Sequence, residues 1–362
     1  MLFRSSGRYL AALLLLLLNG AAMFFFHRYP GTFFPAYRSF SKAWIGLLAR
    51  LTSFTGLTVW DIAAAVLAVL LIASLVHVVR RHRRFTAWLG TVLLCVSVLL
   101  TSAVCGWMLN HYAPPLAAEL GYEIRLYTQE ELQDACEYYL LQAARYASDM
   151  HRDTEGHLLP HDFHALAKKA GSAYASLGAE HAVLAGTAVP VKKLSLIGEY
   201  LMYNGIIGMF MPLTGEAGVP ASVPPAVLPF TMAHEAGHRL GIASEEEANF
   251  AAFLACVNSQ ETELLYSGYY EAFSYCLSSL YKYDPETALT LYHSHDDDSG
   301  VQLVQLDRQD TAAIYRKYES SLQDVSDKIN DTYLKTFSQE SGIQSYGEVT
   351  NDLIAWYLEE RN

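Results

Sequence analysis

Three long apolar runs crowd the first third of this chain, and they restrict its fold before anything else is read. Residues 9–26, 59–79 and 86–108 each come close to the roughly 20 residues that a helix needs to cross a hydrocarbon core. Inside such a core only helices or closed barrels satisfy their own backbone. The first run follows two arginines, as the apolar part of a signal peptide would. Its core is long for that purpose, and Phe24-Phe25-Phe26-His27-Arg28 lacks the small residues of a cleavage site. It reads as a retained anchor. The expected division is a membrane anchor of three transmembrane helices over residues 1–111 and a second domain over 112–362.

Charge sets the expected orientation. Arg4 and Arg8 precede the first run, and Arg80, Arg81, Arg83 and Arg84 fill the short link between the second and third. The positive-inside rule places both groups in the cytoplasm, so the chain would be a multi-pass protein of the cytoplasmic membrane with its second domain extracytoplasmic. The stretch 27–57 would then be an external, aromatic, interface-like loop. Its Arg28, Arg38, Lys42 and Arg50 run against the rule.

The whole chain carries 25 Lys and Arg against 37 Asp and Glu. Ten of those bases and one acid lie in 1–111, which leaves 15 bases and 36 acids beyond, a net −21. Such acidity argues against nucleic acid as a partner and favours neutral or cationic substrates next to the lipid bilayer. Asp61, the lone acid of the first segment, lies near the end of a run and reads as interfacial rather than functional.

Within the acidic segment, His234-Glu235-Ala236-Gly237-His238 spells H-E-x-x-H. On a helix, positions i and i+4 share a face, so both imidazoles can reach one metal ion while Glu235 stands beside them as a general base. Mostly apolar neighbours (Met232, Ala233, Leu240, Ile242) make a buried helix, where polar groups usually have a job. Thr231 is a candidate N-cap and Gly241 a candidate stop.

A zinc hydrolase site also needs a third protein ligand and an open position. The longer pattern H-E-x-x-H-x-x-G-x-x-H fits as far as Gly241 and fails at Ser244. The next stretch, Ser244-Glu245-Glu246-Glu247-Ala248-Asn249, opens a helix with Ser244 as N-cap and Glu247 at the capping-box position. Acids in a first turn also have a plain dipole explanation. Glu245 shares a face with Asn249, which could hold a histidine's free N–H, so Glu245 is preferred as the ligand and Glu247 is the alternative.

The runs Pro229-Phe230-Thr231-Met232-Ala233-His234-Glu235-Ala236-Gly237-His238, Gly241-Ile242-Ala243 and Glu245-x-Glu247-Ala248-Asn249-Phe250, with Pro212-Leu213-Thr214-Gly215-Glu216-Ala217 upstream, carry a resemblance. Together they resemble a bacterial family of uncharacterised membrane proteins with N-terminal membrane helices and an H-E-x-x-H domain similar to gluzincin metallopeptidases. The resemblance implies a zincin-like fold and a glutamate ligand followed four residues later by Asp or Asn. That pattern falls on Glu245 and Asn249.

The remaining segments fill in a mainly α domain (α+β) with a small sheet and a helical C-terminal lobe. Thr128-Gln129-Glu130-Glu131 is a capping box opening a helix to about residue 150. Helices are also expected over 161–177, 249–257, 269–280, 309–337 and 346–358. A strand-like start is read at 189–197, and 206–211 is read as an edge strand beside the metal helix, onto which extended substrate could pair.

Other features are weaker. One of the tyrosines at 266, 269, 270, 275, 281 and 283 could stabilise an oxyanion. Five cysteines form no framework, although a Cys256–Cys276 bridge is conceivable outside the cell. His293-Ser294-His295 before three aspartates reads as an exposed acidic turn, and Asn330 as a conditional glycosylation site.

The expectation is a membrane-anchored zinc metallopeptidase acting on peptides or proteins. One Zn2+ per chain would be held by His234, His238 and Glu245, with Glu235 as the catalytic base. Two other classes remain: a metal-binding sensor or scaffold without hydrolysis, and a transporter in which the second domain is accessory.

Overall fold

The computed structural model describes residues 2–320 and 349–360. Among the described residues three helices are long and apolar enough to cross a membrane: α1 (Leu2–Arg28, apolar from Ser6), α3 (Trp60–Arg80) and α4 (Phe85–Gly106). Their leucines, valines and phenylalanines are largely exposed, as side chains facing lipid would be. α1 packs along α4, and Arg8 Nη1 donates to Ala87 O and Thr91 Oγ1 at 3.1 and 2.6 Å. The basic N-terminal segment and the basic 80–84 link therefore share one end of the bundle.

The stretch expected as an external loop is instead a helix, α2 (Pro30–Thr52). Its buried positions Phe34, Tyr37, Ser41, Ile45 and Ala49 recur every three to four residues, the spacing of an amphipathic helix. Three of the four cations that ran against the charge rule are engaged by the second domain, while Arg28 lies over the neighbouring Tyr29 ring. Lys42 Nζ donates to the carbonyls of Ala182, Val183 and Ala185 at 2.7–2.9 Å, Arg38 forms a two-bond pair with Glu119, and Arg50 reaches Thr187. Positive charge sits here because carbonyls and a carboxylate receive it.

The start of α3 is tied down as firmly. Glu216 is buried and accepts the N–H groups of Val59 and Trp60, together with the Lys192 ammonium at 2.7 Å. Asp61 is buried too, and it accepts from the backbone of Ser195 and Leu196 at 3.1 and 2.8 Å. It is a structural bracket between anchor and domain, at the end of the apolar helix where the sequence placed it. A carboxylate at the first turn of a helix is favoured by the dipole and here serves a second backbone as well.

The second domain is mainly helical: α5 (Leu116–Leu120), α6 (Gln129–Ala147), α7 (Phe163–Ser172), α8 (Ala175–Glu180), α9 (Gly198–Tyr203), α10 (Leu228–Arg239), α11 (Glu245–Val257), α12 (Thr262–Tyr283), α13 (Pro285–Tyr292), α14 (Ser299–Tyr318) and α15 (Val349–Glu360). α6 starts at the expected capping box, with Thr128 and Glu131 exchanging hydrogen bonds. It packs on α12 and α14 around a dense core containing Tyr139, Phe253, Tyr266 and Phe273. The helix expected over 161–177 is split at Ala173 and Tyr174, where Tyr174 turns its hydroxyl to Ala233 O. The 309–337 helix is replaced by the earlier-starting α14; residues 321–337, the start of the 346–358 helix and Asn330 lie outside the described residues.

The small sheet holds β1 (Lys192–Lys193), β2 (Met209–Met211) and β3 (Glu216–Val219) in the order β1-β3-β2. β1 runs parallel to β3 and β2 antiparallel, so β2 occupies an edge, inside the 206–211 stretch expected there. All five cysteines are free thiols, which removes the Cys256–Cys276 bridge.

Candidate metal centre

α10 begins at Leu228 with Pro229 in its first turn, so Thr231 lies inside the helix rather than capping it. The whole of α10 is buried, which makes each polar side chain on it costly unless partnered. It ends where expected. Gly241 adopts φ +89°, a left-handed conformation that glycine reaches without penalty, and its N–H returns to His238 O at 3.0 Å. This turn carries the Ile242 carbonyl back beneath His238, whose Nδ1 lies 2.7 Å from it.

His234 Nδ1 lies 2.8 Å from Asn249 Oδ1. In both imidazoles a hydrogen bond from Nδ1 to an oxygen leaves Nε2 as the free lone pair, the tautomer a metal ligand requires. The two rings stand edge to face with centroids 4.6 Å apart. Glu245, at the first turn of α11, brings Oε2 to 3.2 Å from His234 Nε2 and 3.8 Å from His238 Nε2. A tetrahedral zinc with bonds of about 2.0–2.1 Å holds its donors roughly 3.3 Å apart, so the spacing and the two-imidazole, one-carboxylate set fit the ion.

Glu235 completes the group: His234, Glu235 and His238 each bring a ligand atom within 4.8 Å of the others. Its Oε2 is buried with no hydrogen-bond partner among the described residues. The β2 side crowds it so closely that a Cβ on Gly208 would fall 2.2 Å from Oε1. Only glycine permits that approach. Burial pushes the Glu235 carboxyl up to about 7 against the pull of His238 and His234, the range of a working general base.

Burial alone would strip the proton from His238, but the Glu245 carboxylate and Glu235 lift its imidazolium to about 9. Burial likewise opposes charge on Glu245, yet the two histidines hold it well below the ordinary carboxylate range. At neutral pH His238 is thus an imidazolium facing the Glu245 carboxylate, and its Nε2 lone pair becomes available when that proton leaves.

Glu247 goes elsewhere. Its carboxylate accepts the Leu116 N–H at 2.9 Å, and burial raises its pKa to about 7. The tyrosines considered for an oxyanion role mostly pack: Tyr266 bonds Asp307 and Tyr270 bonds Thr311, while Tyr281 and Tyr283 are exposed. His293 and His295 pair separately with Asp296 and Glu137.

Two residues beside the site carried no signal in the sequence. Trp107, one residue past α4, donates its indole N–H to His238 O at 2.8 Å, and its ring also meets Phe210 of β2. His111 follows on a short 3-10 turn (Met108–Tyr112). Burial and the nearby His238 charge lower its imidazolium to about 3, so its ring is neutral. Both lie beyond any spacing rule for metal ligands; nearness to the end of a membrane run was the only hint available.

No curated protein and no solved structure matches the chain. A family model does match, over residues 37–354, a stretch that takes in most of α2, the apolar helices α3 and α4, the sheet and the whole H-E-x-x-H region. The chain therefore belongs to the family described as protein of unknown function (DUF3810).

Proposed function

We propose that this protein is a membrane-anchored zinc metallopeptidase that hydrolyses peptide bonds at the outer face of the cytoplasmic membrane. The observation that carries this reading is the convergence of His234 Nε2, His238 Nε2 and Glu245 Oε2 beside an unpartnered, buried Glu235. A bound zinc would supply Lewis acidity, lowering the pKa of a water toward neutrality and polarising a carbonyl. His234, His238 and Glu245 would hold the ion, with Asn249 and Ile242 O fixing the rings. Glu235 takes a proton from the attacking water and returns it to the leaving amine. The unpaired side of β2, next to Glu235 and Phe210, offers backbone groups to an extended peptide.

The anchor supports a site at the membrane surface. α2 exposes Phe33, Phe40, Trp44, Leu47 and Leu51 at three-, four- and seven-residue intervals, an apolar stripe on the side away from its Lys42 and Arg38 contacts. Such a helix lies in the interface. With Arg8 and the 80–84 arginines at the opposite end, the charge rule puts the metal centre outside. Asp61, the one acid that favoured transport, is spent on the Ser195 and Leu196 backbone and lends that reading nothing.

The test uses the full chain in detergent. Elemental analysis should find one zinc per chain, lost in His234→Ala. Glu235→Gln should keep the zinc and cut peptide cleavage on the order of 10²–10⁴-fold. Cleavage that survives Glu235→Gln sinks the reading.

A further inference from the structure

Beyond the metal site, the far face of α10 bounds a cavity of about 340 Å³. By helical periodicity Ala236, Arg239 and Leu240 face away from His234 and His238, and they form one wall. α7, α8 and the 184–188 loop form the others, and Lys42 grips that loop through the Ala185 carbonyl. The volume lies in the range of small-molecule pockets.

The wall carries one charge. Arg239 is only 3% exposed, and among the described residues its guanidinium makes a single hydrogen bond, from Nη2 to Val189 O at 2.7 Å. Its Nε is buried with no acceptor, and among the described residues no carboxylate pairs with it: the only side chain acting on its charge is the Tyr174 phenol. A guanidinium has five N–H groups and keeps its charge, so burial without a counter-ion is expensive. The protein treats its other buried cations differently. Arg152 has a two-bond pair with Asp307 and two carbonyls, and Lys192 has Glu216. Lys42, without a carboxylate, still fills its donors with three carbonyls, whereas Arg239 has one.

We infer that this cavity binds a small organic monocarboxylate, with Arg239 as its counter-ion. One cation with free N–H donors in a plane matches a carboxylate's two oxygens. The surrounding Ala175, Ala179, Leu184 and Leu240 suit a short apolar body. A phosphate dianion would find a second charge uncompensated and few further donors. Exposed Ala179 and Ala188 stand at the mouth. This site is independent of the peptidase reading, since it needs neither metal nor turnover.

The test is the thermal midpoint of the full chain in detergent, titrated with sodium butyrate, acetate or phosphate against chloride at fixed pH and ionic strength. Butyrate should raise Tm saturably, on the order of 5 °C at a hundredfold excess over Kd, with acetate weaker. The rise should vanish in Arg239→Gln. Should that variant not fold, Ala179→Phe, placed at the exposed mouth with Arg239 intact, should weaken butyrate at least tenfold. An absence of any saturable anion effect overturns the inference. So does an equal rise in either variant, or a larger rise with phosphate than with butyrate.

Discussion

Glu245 and Glu247 stand two positions apart in the first turn of α11 and meet opposite surroundings. One faces two imidazoles, and the other receives a backbone N–H from Leu116. Isosteric amides should therefore separate them. Glu245→Gln should weaken zinc by more than the ~10–100-fold that loss of an outer partner such as Asn249 costs. Glu247→Gln should leave zinc affinity intact and change stability instead. The Glu247 carboxyl is raised from 4.5 to about 7 on folding, so its protonated form favours the native state. That contribution is whole below about pH 4.5 and is lost as pH rises through about 7. Relative to wild type, Glu247→Gln should gain on the order of 1–2 kcal/mol between about pH 5 and 7.5, read by denaturant unfolding. His238 sets a second pH dependence. With its imidazolium lifted to about 9, zinc must displace a proton, so apparent affinity should rise roughly tenfold per pH unit between about pH 6 and 8. A flat profile in a competition titration would contradict the arrangement.

At the scale of elements, the turn after α10 matters as much as the helix. Gly241 sits at φ +89°, and the same turn delivers Ile242 O to His238. Gly241→Ala should cost on the order of 1–2 kcal/mol from the left-handed conformation. It should also loosen zinc, because His238 loses the oxygen that sets its tautomer; an unchanged zinc affinity would show that the turn only ends the helix. α2 teaches a related lesson. Its stretch has the periodicity of an amphipathic helix, but its three cations, Arg38, Lys42 and Arg50, suggested a charge misplaced across a membrane. The resolution lies in partners more than eighty residues away in sequence, the carbonyls of Ala182, Val183 and Ala185 and the carboxylate of Glu119.

Taken whole, the molecule is tied together across residue 111 by several contacts. Trp107 bonds the metal helix, Ile45 of α2 and Ala243 join the same small apolar cluster, and Glu216 and Asp61 fasten α3 to the sheet region. A fragment spanning 112–362 would leave His238 O without its indole donor and the Ala182–Ala185 carbonyls without Lys42. Such a fragment should bind zinc at least tenfold more weakly than the full chain and unfold earlier, by isothermal titration and thermal melting. Equal affinity would mean that the anchor only tethers. Glu216→Gln tests the other joint: it leaves Lys192 buried without its anion, a loss of about 3–5 kcal/mol.

What the sequence determined by itself was local. Apolar length marked the three spans, helical spacing put His234, Glu235 and His238 on one face, Thr128 and Glu131 announced a capping box, and Gly241 announced a stop. Each of these depends on residues within a turn or two of one another, where covalent geometry leaves few choices. Tertiary structure decided the rest: Glu245 over Glu247 as the carboxylate facing the histidines, Asp61 as a bracket, Trp107 and His111 as neighbours of the candidate metal centre, and the buried solitude of Arg239. Apart from the Glu245 contact, which spans 7 and 11 residues across a turn, those outcomes follow from contacts between segments tens to more than a hundred residues apart, and no spacing rule along the chain encodes which distant carbonyl a buried cation will meet.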